Sequence, residues 1–153
     1  MNIWVDADAC PRAAREILCR AANRCKITTV FVANHFLSLP DSGFVSFWQV
    51  SPGFDVADNI IVERVGEGDL VISSDIPLAA AILQKQPACM VLNAHGEAYT
   101  TENIQSRLSM RNFMESMRSD YGQQGSGKRA YSHVDSKAFA DRLDRILASS
   151  PLR

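Results

Sequence analysis

With 153 residues, 46% hydrophobic and 22% charged, the chain is long enough for one domain with a single sizeable core, and its composition excludes a disordered or fibrous protein. A formal net charge of −1 excludes a protein that coats nucleic acid by bulk positive charge. No apolar run approaches the length that crosses a bilayer, and neither a basic leader nor a cleavage site opens the chain, so a cytoplasmic protein without membrane partners is expected.

In chain order, "NIWVD" reads as a short strand and "PRAAREILCRAANRC" as the helix after it, with Pro11 suited to a first turn. "ITTVFVAN" and "FVSFWQVS" read as strands parted by the turn-rich "SLPDSG". "DVADNIIVERV" has helical spacing and stops at "GEGD", "LVISSD" is a buried-type strand, "IPLAAAILQKQ" a helix and "ACMVLN" the last strand. From about residue 101 the chain is helical, in "TENIQSRLSMRNFMESMRSDYG" and "DSKAFADRLDRILAS", joined by the glycine-rich, basic "QQGSGKRAYSH", which is expected to be mobile. Strands alternating with helices predict an α/β domain spanning 1–153: a mainly parallel sheet with helices on both faces and a functional crevice at the carboxyl ends of the strands.

Charge is unevenly spread. Residues 27–104 carry only Arg64 and Lys85 against nine acids, whereas basic residues outnumber acids in both flanking segments. Solvated helix faces would account for such blocks, as would a metal site beside an anion-binding surface. Asp6 and Asp8 follow one strand and Asp75 another, while Asp55 and Asp58 are three apart at a helix start, so five carboxylates could converge on one crevice. Like charges that close resist ionisation, and a divalent cation relieves them. Carboxylate oxygens suit Mg²⁺ or Mn²⁺, and these ions suit phosphoryl chemistry. Zinc is disfavoured, because His35, His95 and His133 are scattered and no cysteine pair has ligand spacing. Each residue also has a structural alternative. Asp6, Asp8, Asp55 and Asp75 could cap helices, and Asp58 could serve its helix dipole. Arg12 could hold a phosphate or pair with an acid, and Ser73 and Ser74 could bond in the crevice or finish the strand. The four cysteines are expected to be reduced and mostly buried.

The blocks "VDADACP", "GFDVADNII", "SSDIPLAA", "VLNAHGEAYTTENI" and "MRNFMESMR" together resemble the YaiI/YqxD family of bacterial proteins, within the PIN-like nuclease group. The resemblance implies a PIN-like fold and divalent-metal-dependent cleavage of RNA. It implies catalytic roles for Asp6, Asp8 and Asp75 and a ligand set of Asp6, Asp8, Asp55, Asp58 and Asp75. Arg12, Ser74, Lys128 and Arg129 are candidate contacts to the substrate. Two other readings stand beside it. D-x-D after a first strand also resembles the opening of haloacid-dehalogenase-type phosphatases, which need a later lysine for which Lys85 is a poor fit. The same fold and acids could also serve a catalytically silent RNA- or partner-binding module.

Overall fold

The computed structural model describes residues 1–53, 55–121 and 130–149. Six strands form one sheet: β1 (Ile3–Asp6), β2 (Thr29–Ala33), β3 (Val45–Gln49), β4 (Leu70–Ile72), β5 (Met90–Leu92) and β6 (Ala98–Tyr99), in the order β3-β2-β1-β4-β5-β6. All pairings are parallel except that of β6 with β5. The helices among the described residues are α1 (Arg12–Cys25), α2 (Val56–Arg64), α3 (Ile76–Lys85), α4 (Ile104–Tyr121) and α5 (His133–Ala148). The expected α/β class is therefore found. The chain also has two elements that its sequence did not signal, the two-residue β6 and a 3-10 turn over Ala7–Ala9.

Parallel strands covered on both sides read as unbroken apolar runs, and β1, β2 and β4 are buried throughout. Successive side chains alternate between the faces. Ile3, Val5, Phe31, Leu70 and Ile72 pack with Leu18 of α1 and Phe139 and Leu143 of α5. Trp4, Val30, Val32, Val71 and Val91 pack with Ile61 of α2, Leu78 and Ile82 of α3 and Ile104 of α4. Helices therefore cover both faces. The edge strand β3 is largely exposed.

Local chemistry sets the helix ends. Lys26 closes α1 in the left-handed conformation. Asp75 caps α3 by accepting from the Leu78 N–H, with a proline in the first turn. Ser132 and Asp135 form a reciprocal capping box at α5. The start of α5 is also held to the β5–β6 turn. There the Tyr131 hydroxyl donates to Ala94 O at 2.7 Å, and His95 Nδ1 lies 3.1 Å from Asp135. Gly96, at φ +86°, brings its backbone so close that a Cβ would sit 2.8 Å from Ala138 O.

Strand order places β2 and β3 on one side of β1 and β4 and β5 on the other. The connections diverge between β1 and β4, and such a switch point leaves a crevice beyond the carboxyl ends of the two strands. The segments that leave those ends carry Asp6, Ser73 and Asp75.

Candidate metal centre

Asp6 is the last residue of β1, and its register partner by continuation of the β1–β4 ladder is Ser73. The Ser73 hydroxyl donates to Asp6 Oδ2 at 2.9 Å and accepts from the Asp75 N–H at 3.0 Å. One buried serine therefore fixes both acids. Asp75 spends Oδ1 on the cap of α3, at 3.1 Å from Leu78 N. The third acid comes from α2, where Asp58 lies three residues before the fully buried Ile61. The helix face that seats Ile61 on the sheet thus also turns Asp58 toward the strand ends.

Asp6, Asp58 and Asp75 each offer one oxygen, and these oxygens lie within 4.8 Å of one another. Burial raises the Asp6 carboxyl above its ordinary range, the Ser73 hydroxyl opposes that shift, and the charges of Asp75 and Asp8 add to it. Asp58 is pushed up to about 7, first by burial, then by the negative charges of Asp6 and Asp75, by its own hydrogen bond to Asp75, and by Asp55. Burial and the neighbouring carboxylates thus favour the protonated form of Asp58. The cluster's donors are hard oxygens with no imidazole or thiolate among them, and Mg²⁺ or Mn²⁺ fits such a set better than zinc.

The structure reduces the expected convergence of five acids to a group of three. Asp8 lies in the 3-10 turn, which breaks the strand alternation and swings its carboxylate toward β2. There it accepts from Asn34 N at 3.0 and 3.1 Å and lies 2.7 Å from His35 Nδ1. Asp8 reaches the group through its field on Asp6, and it is not a cap of α1, whose N-cap is Pro11. Asp55 occupies the N-cap position of α2 at φ 62° without a capping bond from its side chain, and it borders the crevice beside Asp58.

The candidate substrate contacts separate in the same way. Ser74 is exposed and lines the crevice next to Asp6 and Asp75. Arg12 pairs with Glu16 at 3.4 Å and faces a different cleft of about 460 Å³, which it lines with Arg15 and Arg20. Of the two readings of Arg12, pairing with an acid is present, and that acid is Glu16 rather than a member of the cluster. Lys128 and Arg129, with most of the loop expected to be mobile, lie outside the described residues. Ser73 proves to be the serine that builds the site. Arg111 of α4 lines both openings of the crevice, of about 320 and 310 Å³, and in the sequence it is one basic residue among several in the last third, within "MRNFMESMR", with no spacing that ties it to the acids. The cysteines are free, three of them buried and Cys25 half-buried. Among the described residues no helix is long and apolar enough to cross a membrane.

The "UPF0178 protein" of Marinobacter nauticus is 56% identical over 147 residues, covering 96% of each chain. That of Hahella chejuensis is 52% identical over 150 residues, covering 98% of each, and that of Hydrogenovibrio crunogenus 50% identical over 147, covering 96% of this chain and 95% of the relative. No solved structure matches the chain. A family model described as "Uncharacterized BCR, YaiI/YqxD family" matches residues 4–149, a span that takes in every acid of the cluster, and the chain belongs to that family.

Proposed function

We propose that this protein hydrolyses RNA phosphodiester bonds using Mg²⁺ or Mn²⁺ held by Asp6, Asp58 and Asp75. The observation that carries this reading is the meeting of three carboxylate oxygens, from three separate elements, within 4.8 Å at the switch point of the sheet. When bound, a hard divalent ion supplies a lowered pKa for the attacking water and charge stabilisation for the departing oxygen. Asp6 enters preoriented, because Ser73 holds it. Asp75 keeps one oxygen for a ligand while the other caps α3. Asp58, pushed up to about 7, would have to be deprotonated to serve as a ligand, so metal affinity would depend on pH. The choice of RNA as substrate is supported by the resemblance of the acidic blocks to the PIN-like group.

The phosphatase reading loses its lysine. Lys85 Nζ donates to Val62 O and Glu63 O at the C-terminal end of α2, where it closes a helix. The test is calorimetric titration with Mn²⁺ together with hydrolysis of single-stranded RNA. Wild type is expected to bind Mn²⁺ and to cleave RNA only when the metal is present, and Asp58→Asn to lose at least about 10–100-fold in Mn²⁺ affinity, with cleavage lost alongside. Cleavage that persists in Asp58→Asn, or in chelator, defeats the proposal. Mn²⁺ binding without cleavage would leave the silent binding module in its place.

A further inference from the structure

Arg111 lies on α4, which packs against α3, and it borders the crevice on both sides: one opening with Asp58 and Asp75, the other with Asp6 and Asp75. No other cation lines either opening among the described residues. Even so, its ion pair is made at 3.2 Å with Glu115, one turn along α4, and none of the three cluster acids is within ion-pair distance of it. An arginine bonded directly to the cluster would compete with a metal for the same oxygens, and this one is bonded to Glu115 instead. Exposed i,i+4 pairs of this kind are weak and exchange readily for a better partner.

We infer that Arg111 is a phosphate-binding residue, whose guanidinium leaves Glu115 and donates to the non-bridging oxygens of an RNA phosphodiester lodged between α4 and the acid cluster. The inference rests on the hydrolytic reading above. An anion entering a pocket walled by carboxylates meets repulsion that the metal offsets from one side, and Arg111 offsets it from the other. The planar fork matches two phosphate oxygens at once, which a lysine ammonium does not.

Two measurements on the full chain test this: Mn²⁺ calorimetry, and stopped-flow anisotropy with a fluorescein-labelled single-stranded oligouridylate in Mn²⁺, read before turnover. Arg111→Gln is expected to keep wild-type Mn²⁺ affinity, to bind RNA about tenfold more weakly, and to lower the slope of log affinity against log salt by about one. Arg111→Lys is expected to recover part of the loss, and Glu115→Gln, which frees the guanidinium, to tighten binding. RNA affinity for Arg111→Gln within about twofold of wild type, with an unchanged salt slope, overturns the inference. Wild type that takes Mn²⁺ but no RNA also overturns it while leaving the metal centre standing. Wild type that takes no Mn²⁺ overturns the hydrolytic reading, and the role of Arg111 with it.

Discussion

Ser73 has more influence on the site than its neutral side chain suggests. It is buried, and its hydroxyl serves Asp6 as donor and the Asp75 N–H as acceptor. Ser73→Ala would leave a buried carboxylate oxygen and a backbone N–H each short of a partner, at about 1–3 kcal/mol in urea unfolding. It would also remove the bond that favours the charged form of Asp6, so Mn²⁺ affinity is expected to fall by about tenfold. Ser74→Ala, at an exposed position, should leave both quantities unchanged. Equal Mn²⁺ affinity in wild type and Ser73→Ala would show that the hydroxyl merely finishes a strand. The pair of serines also marks a limit of sequence reading. Which of two adjacent serines faces Asp6 depends on the register of β4 against β1, a contact made across 67 residues of chain.

At the scale of elements, β4 separates two buried or half-buried acidic sites with opposite duties. Beyond its carboxyl end lie Ser73 and Asp75. Before its amino end lies Asp69, which accepts from Asn2 N at 2.9 Å, Trp4 Nε1 at 3.1 Å and Gly66 N at 2.8 Å. Residues 69 and 73 are four strand steps apart, about 13 Å. Asp69→Ala is expected to cost about 2–4 kcal/mol in denaturant unfolding while leaving Mn²⁺ affinity untouched, because three donors lose one acceptor far from the crevice. A loss of Mn²⁺ binding at unchanged stability would reverse those assignments. Element types were legible locally, since apolar runs, turn residues and first-turn prolines are written in single stretches of chain. Asp58 was legible too, because helical spacing is local. Asp8 was not: strand parity sets it beside Asp6, and only the 3-10 turn, held by the bond from Cys10 N to Ala7 O, turns it toward Asn34. Nor did spacing decide burial in α4. Met110, Phe113, Met114 and Met117 recur as a core stripe would, yet they are 61, 58, 51 and 37% exposed.

Over the whole molecule, the cluster makes stability depend on pH in an uncommon direction. Asp58 titrates near 7 in the folded protein against an ordinary 3.8, and Asp6 is shifted the same way. Between those limits Asp58 in the native state holds a proton that the unfolded chain has released, so its contribution to metal-free stability falls as pH rises from about 4 and is lost above about 7, and Asp6 contributes with the same sign. Glu97 has the opposite sign. The Asn93 amide and then Arg107 hold its carboxyl below the usual value, so its contribution is present above about 4.5 and fades only in more acid solution, outside this window. In chelator, the melting temperature is therefore expected to decline by a few degrees between about pH 5 and pH 8, and Asp58→Asn to flatten that decline. The pairs His35–Asp8 and His95–Asp135 are present in both proteins and cancel in the comparison. Mn²⁺ should reverse the trend, since deprotonation strengthens binding, and at about 100 times Kd the bound ion adds about 2.7 kcal/mol. If the metal-free protein grows more stable from pH 5 to pH 8, or if Asp58→Asn keeps the wild-type slope, burial beside neighbouring carboxylates is not what holds a proton on Asp58.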